Sequence, residues 1–148
     1  MPVIKKVELT KEYEFMYEGF LLTTQRDLYL FLEEDKDFIT AIKFTYKIYK
    51  FGYPNDEVLS SHPMWAYGLR SYGIYEVLNS PWIEEIKHSN RIHPHHSDTL
   101  FENDRHFIIS YKDHTLDVIC KKMEEIVLKK EDIAIILTQE INYIGKDC

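Results

Sequence analysis

The stretch IKFTYKI, residues 42–48, decides the fold class because apolar and polar residues alternate along it. In an extended chain the isoleucines and aromatics fall on one side, and the lysines and the threonine fall on the other. The pattern therefore predicts a strand with one packed face and one face in water. Leu28, Leu30 and Leu32 have the same period earlier in the chain, and the acidic run EEDKD (33–37) predicts the turn between the two strands.

A third strand is predicted before this pair. Apolar residues of this segment stand at odd-numbered positions and would share one face of an extended chain: Tyr13, Phe15, Tyr17 and Leu21. Gly19 interrupts the series, which indicates a bulge or a close backbone approach at that position. Together, the three segments predict an antiparallel meander over residues 12–50.

Residues 51–70 have no periodicity and contain several glycines, prolines and other turn formers. A loop of this length in a compact domain is usually functional or disordered, and this one is too aromatic for disorder. We therefore expect an ordered segment that packs onto the sheet, and we call it the flap. The stretch YGIYEVLN (72–79) then predicts a fourth strand.

A helix is predicted to begin after Ser80. Ser80 is a favourable N-cap, Pro81 suits the first helical position, and the acidic and then basic residues that follow complement the helix dipole. Trp82, Ile83 and Ile86 form the side that we expect to be buried.

Two further apolar segments, RHFIISY (105–111) and TLDVIC (115–120), flank a short turn and predict a hairpin. Residues 115–128 also fit a helical stripe, but their β-branched pair at 118–119 and the preceding turn favour a strand. A second helix is predicted near the C-terminus, with Gly145 as its cap. Apolar residues recur at helical spacing in this segment: Ile133, Ile136, Leu137, Ile141 and Ile144. The prediction is one α+β domain over residues 1–148, a mainly antiparallel sheet of a meander plus a hairpin packed with two helices.

The charge of the chain limits its partners. The sequence has 25 acidic against 18 basic residues, and its formal net charge is −7. This charge repels phosphate backbones, so we expect no nucleic-acid partner. A basic protein partner or a small ligand fits better, although acidity also simply favours solubility.

Cysteine content and the N-terminal sequence indicate the compartment. The two cysteines, Cys120 in an apolar run and Cys148 at the last position, do not form the spaced framework of a secreted disulfide protein. Residues 1–8 lack a signal-peptide pattern, and no apolar stretch approaches the length of a membrane span. These features predict a cytoplasmic protein without membrane association.

The stretch RIHPHHSD (91–98) is the candidate metal site. His93, His95 and His96 supply nitrogen ligands suited to zinc, nickel or iron, and His106 follows soon after. The spacing superficially matches cupins and iron oxygenases, but the strand context that those patterns require is missing. The proline in the stretch favours an extended chain, which sets neighbouring imidazoles apart. We therefore expect a solvated loop and no cofactor, with a divalent metal site as the alternative.

Glu57 and His62 in the flap are the candidate catalytic pair, because acid–base catalysis needs two titratable groups within reach of one substrate. In the structural alternative, Asn55 and Asp56 cap a short helical turn and His62 is a buried imidazole bonded to the backbone. We favour the structural alternative, since capping is the commoner use of such residues.

The flap also carries a candidate partner-binding surface. In MWAYGLRSYGIY (64–75), aromatic residues are interleaved with glycines and one arginine, a composition that supplies binding energy at interfaces. Trp65, Tyr67 and Arg70 are the expected anchors. The same residues could instead pack on the flap itself, and both alternatives stay open.

Five blocks of the chain form a series: PNDE (54–57), HP (62–63), YEVLNSPWI (75–83), HP (93–94) and RHFIISYKD (105–113). In this series the chain resembles an uncharacterised bacterial family of small stand-alone proteins. The resemblance covers about residues 50–120. It implies no activity, and only suggests that the flap, the first helix and the hairpin belong to one structural unit.

Two functional hypotheses follow. The first is a small acidic binding protein, for example an immunity-type protein that neutralises a basic toxin or another protein partner through charge and aromatic anchors. The second is a small enzyme, with or without a metal, whose histidines and carboxylates come from the flap and from the loop at 91–106. We favour binding. The enzyme hypothesis requires a deep cleft that holds His62 beside His93 or His96.

Overall fold

A computed structural model describes residues 1–146 of the chain. Their strands form one antiparallel sheet packed with two α-helices, which confirms the predicted α+β class. The strands are β1 (Val3–Lys6), β2 (Phe20–Thr23), β3 (Asp27–Asp35), β4 (Phe38–Gly52), β5 (Gly73–Leu78), β6 (Arg105–Ser110) and β7 (Thr115–Lys129), and the helices are α1 (Pro81–Ser89) and α2 (Lys130–Tyr143). Across the sheet the strand order is β1-β5-β6-β7-β4-β3-β2. Among the described residues, no helix combines the length and the apolarity needed to cross a membrane.

The central pair of the sheet is β4 with β7. Each strand has 15 residues, and they pair from Phe38 with Lys129 to Gly52 with Thr115. The alternating stretch IKFTYKI lies in the middle of β4, as predicted. The segment that also fitted a helical stripe belongs to β7, which forms the predicted hairpin with β6.

One face of the sheet carries the main hydrophobic core. Alternate residues of β3, β4, β6 and β7 point into it, because successive side chains of a strand face opposite ways. Leu28, Phe44 and Phe107 are fully buried there. The irregular segment at residues 7–19 contributes four side chains to this core or its margin: Val7, Leu9, Tyr13 and Phe15.

The predicted antiparallel meander is present as β2, β3 and β4, but the prediction that its first strand begins near residue 12 is wrong. The chain is irregular there, and β2 begins only at Phe20. Phe15 has a φ of 56° and is 8% exposed, and its ring meets the ring of Tyr111 edge-on at 5.3 Å. Its carbonyl accepts a hydrogen bond from the Lys112 N–H at 3.1 Å. The alternating aromatics therefore reflect ring packing at the margin of the core rather than strand pairing.

The opposite face of the sheet is covered in two places. The flap covers β5 and β6 with a cluster that includes the buried Leu59 and Leu69. It contains two 3₁₀ helices, at Asp56–Ser61 and Pro63–Tyr67, so the predicted ordered segment is present. α1 follows β5 and begins at its predicted position.

α2 covers the other end of this face in part. Ile133 and Ile136 pack against a cluster of aromatic residues from β3, whereas Ile141 is 64% exposed. The helix therefore docks along a narrow stripe. Gly145 follows it with a φ of 72°, the left-handed conformation of a C-terminal capping glycine. Cys148 lies outside the described residues.

Candidate functional site

A cleft of about 390 Å³ opens between the flap, α1 and the strands β4, β6 and β7. Its volume is in the range that holds a small organic ligand or one large side chain of a partner. The lining combines prolines and aromatic rings with a few polar groups. The groups that matter for its chemistry are Lys50, His62, Trp82, Glu85, His106 and Asp117.

Asp117 of β7 is only 9% exposed, and its side chain lies on the sheet face opposite to that of its strand neighbours Leu116 and Val118. The Nε2–H of His62 donates to one of its oxygens at 2.9 Å, and the Nε2–H of His106 donates to the other at 2.8 Å. His106 lies on β6, two residues from the cross-strand partner of Asp117, and therefore on the same face of the sheet. The result is a carboxylate held between two imidazoles.

The second ring nitrogen of each histidine shows where the proton lies. The backbone N–H of Met64 donates to Nδ1 of His62 at 3.0 Å, so that nitrogen carries a lone pair and the proton is on Nε2. Nδ1 of His106 lies 2.8 Å from the Ser80 hydroxyl, and we assign the hydroxyl as the donor in this bond. On this hydrogen-bond assignment the Nε2–H of each imidazole donates to Asp117.

These two hydrogen bonds determine the charge of Asp117. Burial raises the pKa of the carboxyl, but the hydrogen bonds from His106 and His62 outweigh burial and bring the pKa below its usual range. Asp117 is therefore ionised at neutral pH. A carboxylate has about four lone-pair positions and the imidazoles use two of them, so Asp117 can still accept bonds from a donor that enters the cleft.

The imidazoles are poorly placed for catalysis or metal binding. A general base or a metal ligand needs a lone pair that faces the reactant or the ion, whereas each lone pair here accepts a bond from the chain itself. Ser80, His106 and Asp117 form a hydrogen-bonded series, but Ser80 is 5% exposed and lies outside the cleft lining. Its oxygen accepts the Ile83 N–H at 3.2 Å as the N-cap of α1. The arrangement suits binding through Asp117 better than nucleophilic catalysis.

The local sequence explains how His62 is aimed. His62 is the N-cap of the second 3₁₀ helix and Pro63 begins that helix, so the imidazole turns back onto the N–H of Met64. Asn55 caps the first 3₁₀ helix in a similar way. These contacts agree with the structural alternative for this part of the flap, in which polar residues cap short helical turns.

The wall of the cleft beside α1 is aromatic. Nζ of Lys50 lies 4.2 Å from the ring centroid of Trp82, and Trp82 meets His106 edge-on at 5.3 Å. Glu85 adds a second carboxylate to the lining. Two carboxylates therefore stand against one ammonium, and the lining favours a cationic ligand over an anionic one.

The candidate catalytic pair is not brought together in this cleft. Glu57 is exposed and lies outside the lining, whereas His62 is directed to Asp117. Asp117 links His62 to a second histidine, His106. His106 belongs to β6 rather than to the loop before it.

The three histidines of the candidate metal site form local contacts. Nδ1 of His93 accepts the His95 N–H at 3.0 Å, and their rings lie 5.8 Å apart, closer than an extended chain predicted, because His93 turns back on its own backbone. Nε2–H of His96 donates to Asp98 at 2.7 Å, and its Nδ1 accepts from Asn90 at 2.8 Å. Within residues 1–146, no group of three or more His, Cys, Asp or Glu residues is arranged to hold a metal ion.

The candidate partner-binding residues are neighbours in the flap. The Arg70 guanidinium lies 4.3 Å from the ring centroid of Trp65 and donates to the carbonyls of Trp65 and Leu69 at 3.1 and 2.6 Å. Trp65 packs partly on the flap core, whereas Tyr67 is 38% exposed. The aromatic residues thus pack within the flap and still leave part of their surface exposed to solvent.

Sequence reasoning missed the role of Asp117. The signal was its position inside TLDVIC, because an aspartate is rarely buried unless its charge is paired. The comparisons add no further assignment: searches against protein-family models, curated proteins and solved structures found no match for this chain.

Proposed function

We propose that the protein binds a basic protein partner and receives one cationic side chain of that partner, an arginine or a lysine, in the cleft. The observation that carries the proposal is Asp117, a nearly buried carboxylate with unused acceptor positions. Guanidinium and ammonium groups offer several N–H donors, and their hydrogen bonds to a carboxylate are among the stronger ones in proteins. An immunity-type protein that neutralises a basic toxin is one example of this class.

The charge of the whole chain supports the same class of partner. A formal net charge of −7 attracts a basic surface over a distance and speeds the encounter. Within the cleft, the Trp82 ring offers a face to which a cation is attracted, and Lys50 of the chain itself already lies against that face. The partner's cation therefore competes with Lys50, and this competition gives the proposal its test.

The test uses single amino acids as probes of the cleft: N-acetyl-arginine amide, N-acetyl-lysine amide and N-acetyl-glutamate amide, titrated at low salt and followed by NMR of the Trp82 indole. We expect the two cationic probes to bind on the order of millimolar, as befits a single side chain. Asp117→Asn should weaken them at least about tenfold, because a charge-assisted bond is replaced by a neutral one. Lys50→Met should strengthen them, since it removes a like charge.

The exposed Asp37 gives a matched control, because Asp37→Asn removes the same charge outside the cleft and should leave binding unchanged. Binding of the glutamate probe, with weakening by Lys50→Met, would mean that the cleft takes an anion, and the proposal would fail. Equal weakening by Asp37→Asn and Asp117→Asn would reduce the effect to the net charge of the chain and would also refute it.

A further inference from the structure

Tyr53 stands at the mouth of the cleft. It belongs to the cleft lining and is nevertheless 80% exposed. Asp117, by contrast, is only 9% exposed and lies deeper. A ligand that reaches the carboxylate therefore passes beside the ring of Tyr53.

The backbone on both sides of Tyr53 is fixed by hydrogen bonds to the β6–β7 hairpin. The residue before it is the last of β4 and pairs with Thr115. The Thr115 hydroxyl donates to the Pro54 carbonyl at 2.7 Å, and the Asp56 N–H donates to the Lys112 carbonyl at 2.9 Å. The chain thus holds this backbone in place while the ring of Tyr53 stays in solvent. An aromatic side chain presented in this way offers a large contact area at a small cost in conformational entropy.

The mouth of the cleft offers apolar surface in addition to this ring. Pro63 and Pro81 belong to the lining and are exposed, as Tyr53 is. The carboxylate that attracts a cation lies away from this surface, in the deeper part of the cleft. An apolar side chain of the partner that covers the mouth is favoured in proportion to the apolar area that leaves water.

We propose that the cleft binds two residues of an extended partner segment: the arginine or lysine that reaches Asp117, and a large apolar residue two positions away that packs on the ring of Tyr53. This inference rests on the proposed function, because it takes the cationic side chain as bound. Side chains of an extended segment alternate between two sides, so residues two positions apart face the same way at a distance of about 6.5 Å. An immediate neighbour of the cationic residue faces away from the cleft.

The experiment compares four tripeptides with blocked ends: Arg-Gly-Leu with Arg-Gly-Gly, and Leu-Gly-Arg with Gly-Gly-Arg. They are titrated into the full chain at low salt and followed by NMR of the Trp82 indole. In one of the two orders, we expect the leucine peptide to bind at least about fivefold more tightly than its glycine counterpart, because part of the leucine side chain leaves water. Tyr53→Ser should reduce this ratio to about one, whereas Tyr53→Phe should keep it, since the ring remains.

Tyr143→Ser is the matched control, because Tyr143 is 68% exposed but lies on α2, outside the cleft lining. It should keep the preference for leucine, and the indole spectrum of each variant without peptide shows that the variant is folded. Equal affinity of leucine and glycine peptides in both orders would overturn the inference, and so would a preference that survives Tyr53→Ser or that is lost equally in Tyr143→Ser.

These outcomes leave the proposed function standing, since the arginine peptides still bind. Absence of binding by all four peptides and by N-acetyl-arginine amide would instead refute the proposed function, and this inference with it.

Discussion

Replacement of Asp117 tests the hydrogen-bond assignment at the cleft. In Asp117→Asn the new amide has one acceptor and one donor, whereas both imidazoles present an N–H to this position. His62 cannot move its proton, because its Nδ1 accepts the Met64 N–H. His106 can move its proton to Nδ1, because the Ser80 hydroxyl can rotate and accept instead of donating. We therefore expect the asparagine oxygen to face His62 and its nitrogen to face His106.

The expected losses in the free energy of unfolding follow from the hydrogen bonds that change. In Asp117→Asn two charge-assisted hydrogen bonds become neutral ones, which lowers the free energy of unfolding by about 1–3 kcal/mol. Asp117→Ala leaves two largely buried N–H groups without an acceptor and should cost more, about 2–5 kcal/mol. In the double variant Ser80→Ala/Asp117→Asn, His106 loses the acceptor that its new tautomer needs. The double variant should therefore cost about 1–2 kcal/mol more than the sum of the single variants.

Urea unfolding followed by tryptophan fluorescence measures these values, since Trp82 lies 5.3 Å from the ring of His106. The pKa of Asp117 is lower in the folded protein than its ordinary value of about 3.9. The carboxylate therefore contributes its full stability above that value and loses it as the pH falls through the folded pKa. The difference between wild type and Asp117→Asn should be constant above about pH 5 and shrink below about pH 4. Strict additivity of Ser80→Ala and Asp117→Asn would refute the tautomer assignment.

Three further outcomes are expected from thermal and urea unfolding. Gly19→Ala should destabilise the protein by about 1–3 kcal/mol, because a Cβ would lie 2.3 Å from Nε2 of His114. The imidazole of His114 is held between aromatic neighbours. Unchanged stability would show that this ring moves freely. Tyr111→Phe should stabilise the ligand-free protein by about 1 kcal/mol, because the buried hydroxyl has no partner within residues 1–146; a loss of stability would reveal an unseen partner. Ile136→Ala should cost about 1–2 kcal/mol and Ile141→Ala less than about 0.5 kcal/mol, since of these two residues only Ile136 packs on the sheet. Equal effects would mean that α2 docks differently.

Much of the fold could be predicted from the sequence because one face of each strand is packed. The alternation at residues 42–48 survives in β4, and Ser80 with Pro81 marks the start of α1. The segment containing Phe15 was wrongly predicted as a strand because its aromatic residues alternate. Their rings pack at the margin of the core, and this ring contact, not backbone pairing, fixes the chain there. Periodicity alone does not distinguish these two uses of aromatic residues.

The candidate site could be predicted only in part. His62 drew notice because a histidine before a proline in an irregular segment indicates a local turn. The partnership of Asp117 with His106 depends on the register between β6 and β7, which brings residues 11 positions apart in sequence to one face. Register is fixed by the packing of the whole sheet, so the contact between these two residues could not be predicted from a single sequence.

The pairing of β4 with β7 has a consequence for the order in which the protein folds. The pairs Phe38–Lys129 and Gly52–Thr115 enclose the flap, β5, α1 and β6 in one loop of the chain. Such distant pairing forms slowly, whereas the β6–β7 hairpin is local and can form first. β7 then offers an edge to which β4 adds, and this addition brings Lys50 of β4 to the lining of the cleft. In pulse-labelling hydrogen exchange, we expect amides of the hairpin to be protected early. Binding competence of the cleft should develop only with the final, global folding step.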